Sequence, residues 1–192
     1  MLASDERGRL IQWDVDPASW QERACHLVGR NLTWPEWLQY FPGQPYQHTC
    51  ANHPVDATVV HELVNQASQS QNAALYTQAI QAAREINDAA LNNFVCKFGS
   101  LSKFTESLSF CEEMVKADPG VDWLRGSRGL ARALFGYYDA TTLADLEAAS
   151  QWYRQNEVTE CVGVRLQILE QLKAGGNPFN TEMIEQLRNE NC

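Results

Sequence analysis

From residue 57 onward, apolar side chains return every three or four positions, the period of a helix with one buried face. Val59, Val60, Leu63, Val64 and Ala67 make the first such face, and Leu75, Ala79, Ile80, Ala83 and Ile86 make a second after a break across Ser68 to Asn72. Leu91, Phe94, Val95 and Phe98 lead to Gly99, a small residue early in a looser repeat, of the kind that leaves room for close helix–helix approach. Phe104, Leu108, Cys111 and Val115 follow, ended by Asp118-Pro119-Gly120. Trp123, Leu124, Leu130, Ala133, Leu134 and Phe135 run to Gly136, and Leu143, Leu146, Ala149, Trp152 and Tyr153 come next. Val162, Leu166, Leu169 and Leu172 stop at Gly175-Gly176, and Asn180 caps a last short helix with Met183, Ile184 and Leu187. The connections are short, so neighbouring helices pack antiparallel.

Residues 1–56 have a different texture. Leu10, Ile11, Trp13 and Val15 follow a glycine turn and form the one good strand candidate, Leu10–Val15. A lone strand leaves its backbone groups unpaired, so it needs a partner outside this chain or packs as an irregular arm. Asp16-Pro17 opens a helix carrying Trp20, Ala24, Leu27 and Val28, with Gly29 as its stop. Thr33-Trp34-Pro35-Glu36 is a capping box opening a short helix that ends at Pro42-Gly43. An ordered loop with Pro45 and Pro54 runs from there to Asp56.

The expected fold is all-α: antiparallel helical hairpins in a tetratricopeptide-like α-solenoid or an irregular bundle, with a short N-terminal strand or extended arm. Residues 1–56 form one segment and residues 57–192 the helical domain. Gly129, Gly136, Tyr138, Leu146 and Ala149 fall near the small and aromatic positions of a tetratricopeptide repeat, and Cys111, Met114 and Pro119 take the later positions of a preceding, looser one.

Charge narrows the partners. Fifteen Lys and Arg stand against 24 Asp and Glu, a net charge of −9. That balance argues against nucleic acid, whose binding depends on basic residues neutralising phosphates. No apolar run approaches the ~18 residues of a membrane span. The polar start, Met1 to Arg9, does not read as a secretory signal, so the expected location is cytoplasmic. In such a compartment the six cysteines, Cys25, Cys50, Cys96, Cys111, Cys161 and Cys192, read as small buried hydrophobes. The terminal Cys192 reads as exposed and prone to adventitious dimerisation.

Four sets of residues carry chemistry-bearing types. Cys25, His26, His48, Cys50 and His53 have the right donors for zinc, but their spacing fits no standard site. Packing is the favoured reading, over zinc or a Cys25–Cys50 disulfide. Ser100-Leu101-Ser102-Lys103 matches the Ser-x-x-Lys of acyl-transfer enzymes without its companion motifs. Asn31-Leu32-Thr33 fits a glycosylation acceptor, though Thr33 reads better as a helix cap. Trp13, Trp20, Trp34 and Trp37 cluster near the start, as residues that seal a small core. No catalytic, metal or cofactor residue is assigned.

Arg7-Gly8-Arg9-Leu10-Ile11-Gln12-Trp13-Asp14-Val15-Asp16-Pro17-Ala18-Ser19-Trp20, then Ala24-Cys25, Gly29-Arg30-Asn31-Leu32-Thr33, Glu36-Trp37, Tyr40, Tyr46 and Thr49-Cys50, form an ordered motif set. It resembles the tail after the last blade of WD-repeat propellers in large bacterial proteins, many of them cyanobacterial and several of them STAND-type signalling NTPases. Asn92-Asn93 through Leu101, Ser127 through Leu134, and Gly175 through Phe179 resemble that group's helical extension. Two departures are Gly126, where an acidic residue is usual, and Gly136-Tyr137-Tyr138, where Gly-Asp-Tyr is common. The resemblance implies a non-enzymatic protein–protein interaction module, the C-terminal adaptor region of a signalling protein, with a protein or peptide as partner. The alternatives are a structural cap on a propeller and, behind it, a zinc- or cysteine-dependent hydrolase. The strand also leaves room for a dimer through the N-terminal arm. Partner contacts are placed at Trp123, Arg125, Arg128, Arg132, Tyr137 and Tyr138, where three arginines on neighbouring turns suit an acidic peptide tail, as in some tetratricopeptide domains.

Overall fold

The structure is a computed structural model that describes all residues except 1, 5, 7, 9, 13, 191 and 192. Trp13 and Cys192, both given roles above, lie outside the described residues. The order is β1 (Leu2–Ser4), β2 (Leu10–Gln12), α1 (Pro17–Val28), α2 (Trp34–Tyr40), α3 (Ala57–Ser70), α4 (Ala73–Ile86), α5 (Ala89–Leu101), α6 (Glu106–Ala117), α7 (Asp122–Leu134), α8 (Ala140–Gln155), α9 (Thr159–Lys173) and α10 (Thr181–Asn189). Helices dominate, and the fold is all-α apart from one two-stranded hairpin. No described helix is long and apolar enough to cross a membrane. The chain divides into two compact units, Met1–Val59 and Val60–Cys192.

In the first unit the strand partner comes from this chain. β1 pairs antiparallel with β2, Ala3 opposite Ile11, and β2 ends at Gln12 rather than Val15. The polar run at the very start hid the first strand. The predicted caps are present. The Asp16 side chain accepts from the Ala18 amide, and Gly29 ends α1 in the left-handed region at φ 67°. Thr33 and Glu36 close a reciprocal capping box at the start of α2.

In the second unit α4 packs on α5, α5 on α6 and α7, α6 on α7, α7 on α8, and α8 on α9. α10 turns back onto α5, five helices earlier. Leu101, Leu130, Leu134, Leu146, Ile168, Leu172, Met183 and Leu187 share one core, so α5, α7, α8, α9 and α10 close around common contacts. In an open repeat array each unit touches only its neighbours. The return of α10 gives this unit a closed end instead.

Gly99 lies within α5, which runs on to Leu101. A Cβ at Gly99 would lie 1.9 Å from Tyr76 Oη. Tyr76 has no freedom to retreat: it is fully buried, its hydroxyl donates to the Val95 carbonyl at 2.9 Å, and its ring stacks on Phe104. The glycine therefore serves close helix approach. Gly99→Ala gains up to ~1 kcal/mol of helix propensity. It loses about 2–3 kcal/mol to the overlap. The net expected result is a Tm several degrees lower by calorimetry, and an unchanged Tm would contradict the packing account.

The cysteines depart from the expected free thiols. Cys25 bonds Cys50 and Cys96 bonds Cys111, with Cα separations of 5.4 and 5.2 Å. Cys161 is also disulfide-bonded, and no described cysteine is a free thiol. The cytoplasmic expectation drove the thiol reading, and each pairing joins elements that sequence spacing alone does not bring together.

Candidate interaction site

The first unit is organised around one side chain. Asn31 follows Gly29-Arg30 in the tight link between α1 and α2, and it is 1% exposed. Its Oδ1 accepts from the Thr49 amide (2.9 Å), the Thr49 hydroxyl (3.1 Å) and the Cys50 amide (2.7 Å). Its Nδ2 donates to the carbonyls of Cys50 (3.1 Å), His53 (2.7 Å) and Pro54 (3.0 Å). A chain with no regular structure after Phe41 is thus tied by a carboxamide that satisfies its buried backbone groups. The glycosylation reading of Asn31 fails on this burial, because the amide nitrogen is fully engaged.

Around this hub, Tyr46 donates its hydroxyl to Leu32 O at 2.8 Å, and burial pushes that phenol up to about 12. Trp37 stacks on Phe41 and donates its indole N–H to Gln44 O at 3.0 Å. Arg30 grips Glu36 through both guanidinium nitrogens at 2.7 Å. That grip, with the Thr33 bonds, holds the Glu36 carboxyl down at about 2. Trp34 and Trp37 therefore pack as the sequence suggested, with Trp37 at the core of the unit.

α1 behaves differently. It has no buried residue. Trp20, Leu27 and Val28 are 52%, 84% and 56% exposed, and Tyr40 and Phe41 beside α2 are also open. Trp20 donates its indole N–H to Asp14 O at the start of the same helix. Apolar residues at 20, 24, 27 and 28 make a helical stripe, and this stripe faces outward. One flank of α1 borders an open groove of about 1030 Å³ lined by Gln21, Arg23, Cys25, His26, Thr49 and His53 among others.

The zinc alternative required Cys25 and Cys50 as thiolates, and they are oxidised to each other. Among the described residues no group of three or more His, Cys, Asp or Glu is arranged to hold a metal ion. Ser100 and Lys103 point to separate tasks. The Ser100 hydroxyl donates to the Cys96 carbonyl, while the Lys103 ammonium bonds the Leu134 carbonyl and lies over the Phe135 ring.

The six residues placed at a partner site lie on and just after α7, and the structure gives the three arginines partners within the chain. Arg125 pairs with Asp122 at 3.1 Å and Asp145 at 3.2 Å. Arg128 bonds Asp145 through two nitrogens, at 2.7 and 2.9 Å, and reaches Glu112 at 3.4 Å. Arg132 pairs with Glu112 and Asp139, each at 2.6 Å, and lies over the Tyr137 ring. The Asp145 side chain holds the Arg128 guanidinium above its usual range. The row joins α6, α7 and α8, and its charges are already met by acids of the same unit. Trp123 packs against the cluster of Ala149, Tyr153 and Cys161. Tyr137 and Tyr138 remain half-exposed.

A third cluster escaped sequence reading. Arg165 on α9 is fully buried, with Nη1 2.6 Å from Glu190 Oε1 just past α10. Lys97 on α5, 3% exposed, donates to the Glu190 carbonyl at 2.8 Å and lies 3.7 Å from its carboxylate. Burial pulls the Lys97 ammonium down to about 8. Comparisons with protein-family models, characterised proteins and solved structures return no match.

Proposed function

We propose that the chain is a non-enzymatic protein–protein interaction module whose partner surface lies on α1. The observation that carries this reading is the outward apolar stripe of Trp20, Ala24, Leu27 and Val28 on a helix with no buried residue. Contiguous exposed apolar surface with a polar rim marks association sites. Trp and Tyr at its edges are the residue types that dominate binding energy. The partner is a protein or peptide, not nucleic acid or membrane. The arginine row of α7 is a weaker second candidate, because binding an acidic peptide there means displacing Asp145, Glu112 or Asp139. The exposed stripe also suits the narrower reading of a C-terminal adaptor or cap of a WD-repeat signalling protein, whose residues 57–192 form a tetratricopeptide-like helical domain. The disulfides weigh toward an oxidising compartment and away from the cytoplasm, where thiols are kept reduced.

The test is site-specific photocrosslinking in lysate of the source cells. A photoreactive residue replaces Leu27 in one variant and Arg128 in another. Adducts to a protein at position 27 that vanish with Trp20→Asp support the reading. Adducts confined to position 128 move the site to α7. Absence of adducts at both positions, with the fold intact by circular dichroism, overturns the module reading.

A further inference from the structure

The two mapped disulfides sit in opposite surroundings. Cys96 and Cys111 are both fully buried between α5 and α6. The Ser100 hydroxyl lies 3.8 Å from Cys111 Sγ and is itself bonded to Cys96 O and Ser107. No thiol reaches that bridge without unfolding the helices. Cys25, by contrast, lines the open groove beside α1, and the exposed side chain of Arg23 stands at the same groove. Cys50 is held inward, its amide and carbonyl both bonded to the Asn31 carboxamide. An incoming thiolate therefore meets the sulfur of Cys25, and Cys50 is the leaving group.

The attachment of α1 gives this access a consequence. With no buried residue, α1 has little packing to hold it. Among the described residues its ties to the loop at 49–50 are the disulfide and one hydrogen bond, from Gln21 Nε2 to Thr49 O at 2.6 Å. A single exposed hydrogen bond is worth only ~1 kcal/mol net. The loop itself does not depend on the bridge, since Asn31 secures it independently.

We propose that Cys25–Cys50 is a thiol–disulfide exchange site for a low-molecular-weight thiol, and that its opening releases α1. In the first step the thiolate RS⁻ attacks Cys25 Sγ. The Cys25–Cys50 bond breaks, its electron pair leaves on Cys50 as thiolate, and that thiolate takes a proton from water. Cys25 is left as the mixed disulfide with R. A second RS⁻ attacks the sulfur of R, releasing RSSR and the Cys25 thiolate, which is protonated in turn. Two RSH are oxidised to RSSR and one protein disulfide is reduced to two thiols. The Thr49 carbonyl oxygen lies 3.4 Å from Cys25 Sγ, an acceptor that this sulfur can use only as a thiol. The oxidised form fixes the stripe of Trp20, Leu27 and Val28 in place, and the reduced form lets it swing.

The probe is reduced glutathione acting on the intact chain in native buffer at pH 8. New thiols are alkylated with iodoacetamide and mapped by peptide mass, while trypsin reports cleavage after Arg23. Alkylation of Cys25 and Cys50 at least about tenfold faster than Cys96 and Cys111 is the expected result. Cleavage after Arg23 accelerates in step. A Cys25→Ser, Cys50→Ser variant is cleaved there quickly with or without glutathione. Equal labelling of both pairs, or no labelling of Cys25 and Cys50, overturns the exchange site. Slow cleavage after Arg23 in the reduced chain or in the double variant overturns the release of α1.

Discussion

Asn31→Asp is expected to unfold the Met1–Val59 unit. The substitution keeps the size of the side chain and one of its oxygens. Oδ1 still accepts from Thr49 and Cys50, but the second atom is now an acceptor facing the carbonyls of Cys50, His53 and Pro54. Three carbonyls lose the carboxamide donor; Cys50 O keeps the His53 amide at 3.1 Å, while the partly buried carbonyls of His53 and Pro54 lose the donor described for them, at up to about 1–3 kcal/mol each. A carboxylate in that position adds repulsion unless it takes up a proton. The sum exceeds the few kcal/mol that a unit of this size has in reserve. Asn31→Ala is expected to do less, at about 3 kcal/mol, because it strands groups without adding charge. Loss of the Trp37 fluorescence signature and of near-ultraviolet ellipticity in the Asp variant, with helix content largely kept, is the readout. A native near-ultraviolet spectrum in Asn31→Asp would refute the hub.

The second large effect lies at Glu190. Its carboxylate sits beside two buried cations, Arg165 at 2.6 Å and Lys97 at 3.7 Å. Removing one partner of a buried ion pair leaves charge without compensation and costs about 3–5 kcal/mol. Glu190→Ala is therefore expected to lower Tm by about 6–20 °C. Arg165→Met and Lys97→Met combined with Glu190→Leu should recover much of that loss, since an apolar cluster of similar volume needs no compensation. A Glu190→Ala shift under about 2 °C would show that the carboxylate contributes nothing there. Lys97 adds a pH signature. Its folded pKa of about 8 is below the unfolded value near 10.4, so the native state gives up its proton first. Stability then rises as pH climbs from about 8 to 10.4, because the unfolded chain binds more protons across that window. Below pH 8 the cost of burying the ammonium is present in full. Lys97→Met should flatten that rise.

Features encoded within a turn or two of chain were legible from sequence. Asp16, Thr33 and Asn180 cap the helices they announce, because a cap depends on three or four consecutive residues. Gly29 and Gly136 both take positive φ at helix ends. Gly99 shows in the sequence as a small residue suited to close approach, but the ring it admits, Tyr76, lies on another helix and leaves no local mark. The disulfides were hidden for the same nonlocal reason, compounded by the expected compartment. Arg165 did leave a trace: it falls on the stripe of Cys161, Ile168, Leu169 and Leu172, where an apolar residue belongs. A cation on such a stripe asks for a buried acid, and Glu190 answers from the far end of the chain. Of the acids that meet the α7 arginines, only Asp122 was within reach of a pattern along one helix; Glu112, Asp139 and Asp145 come from α6 and from the start and body of α8.

Gly126 and Gly129 bring α7 so close to α8 that a Cβ at either would meet Ala149 or Asp145 within 3 Å. Two glycines in one helix forfeit ~2 kcal/mol of intrinsic helicity relative to alanine. α7 is therefore a poor helix by itself and a good one only against its neighbour. The amides of its inner turns, around Gly126 and Gly129, are expected to exchange with solvent together with those of α8 rather than one at a time, as hydrogen exchange would show. Two successive helices are welded into a single cooperative element by the absence of two methyl groups.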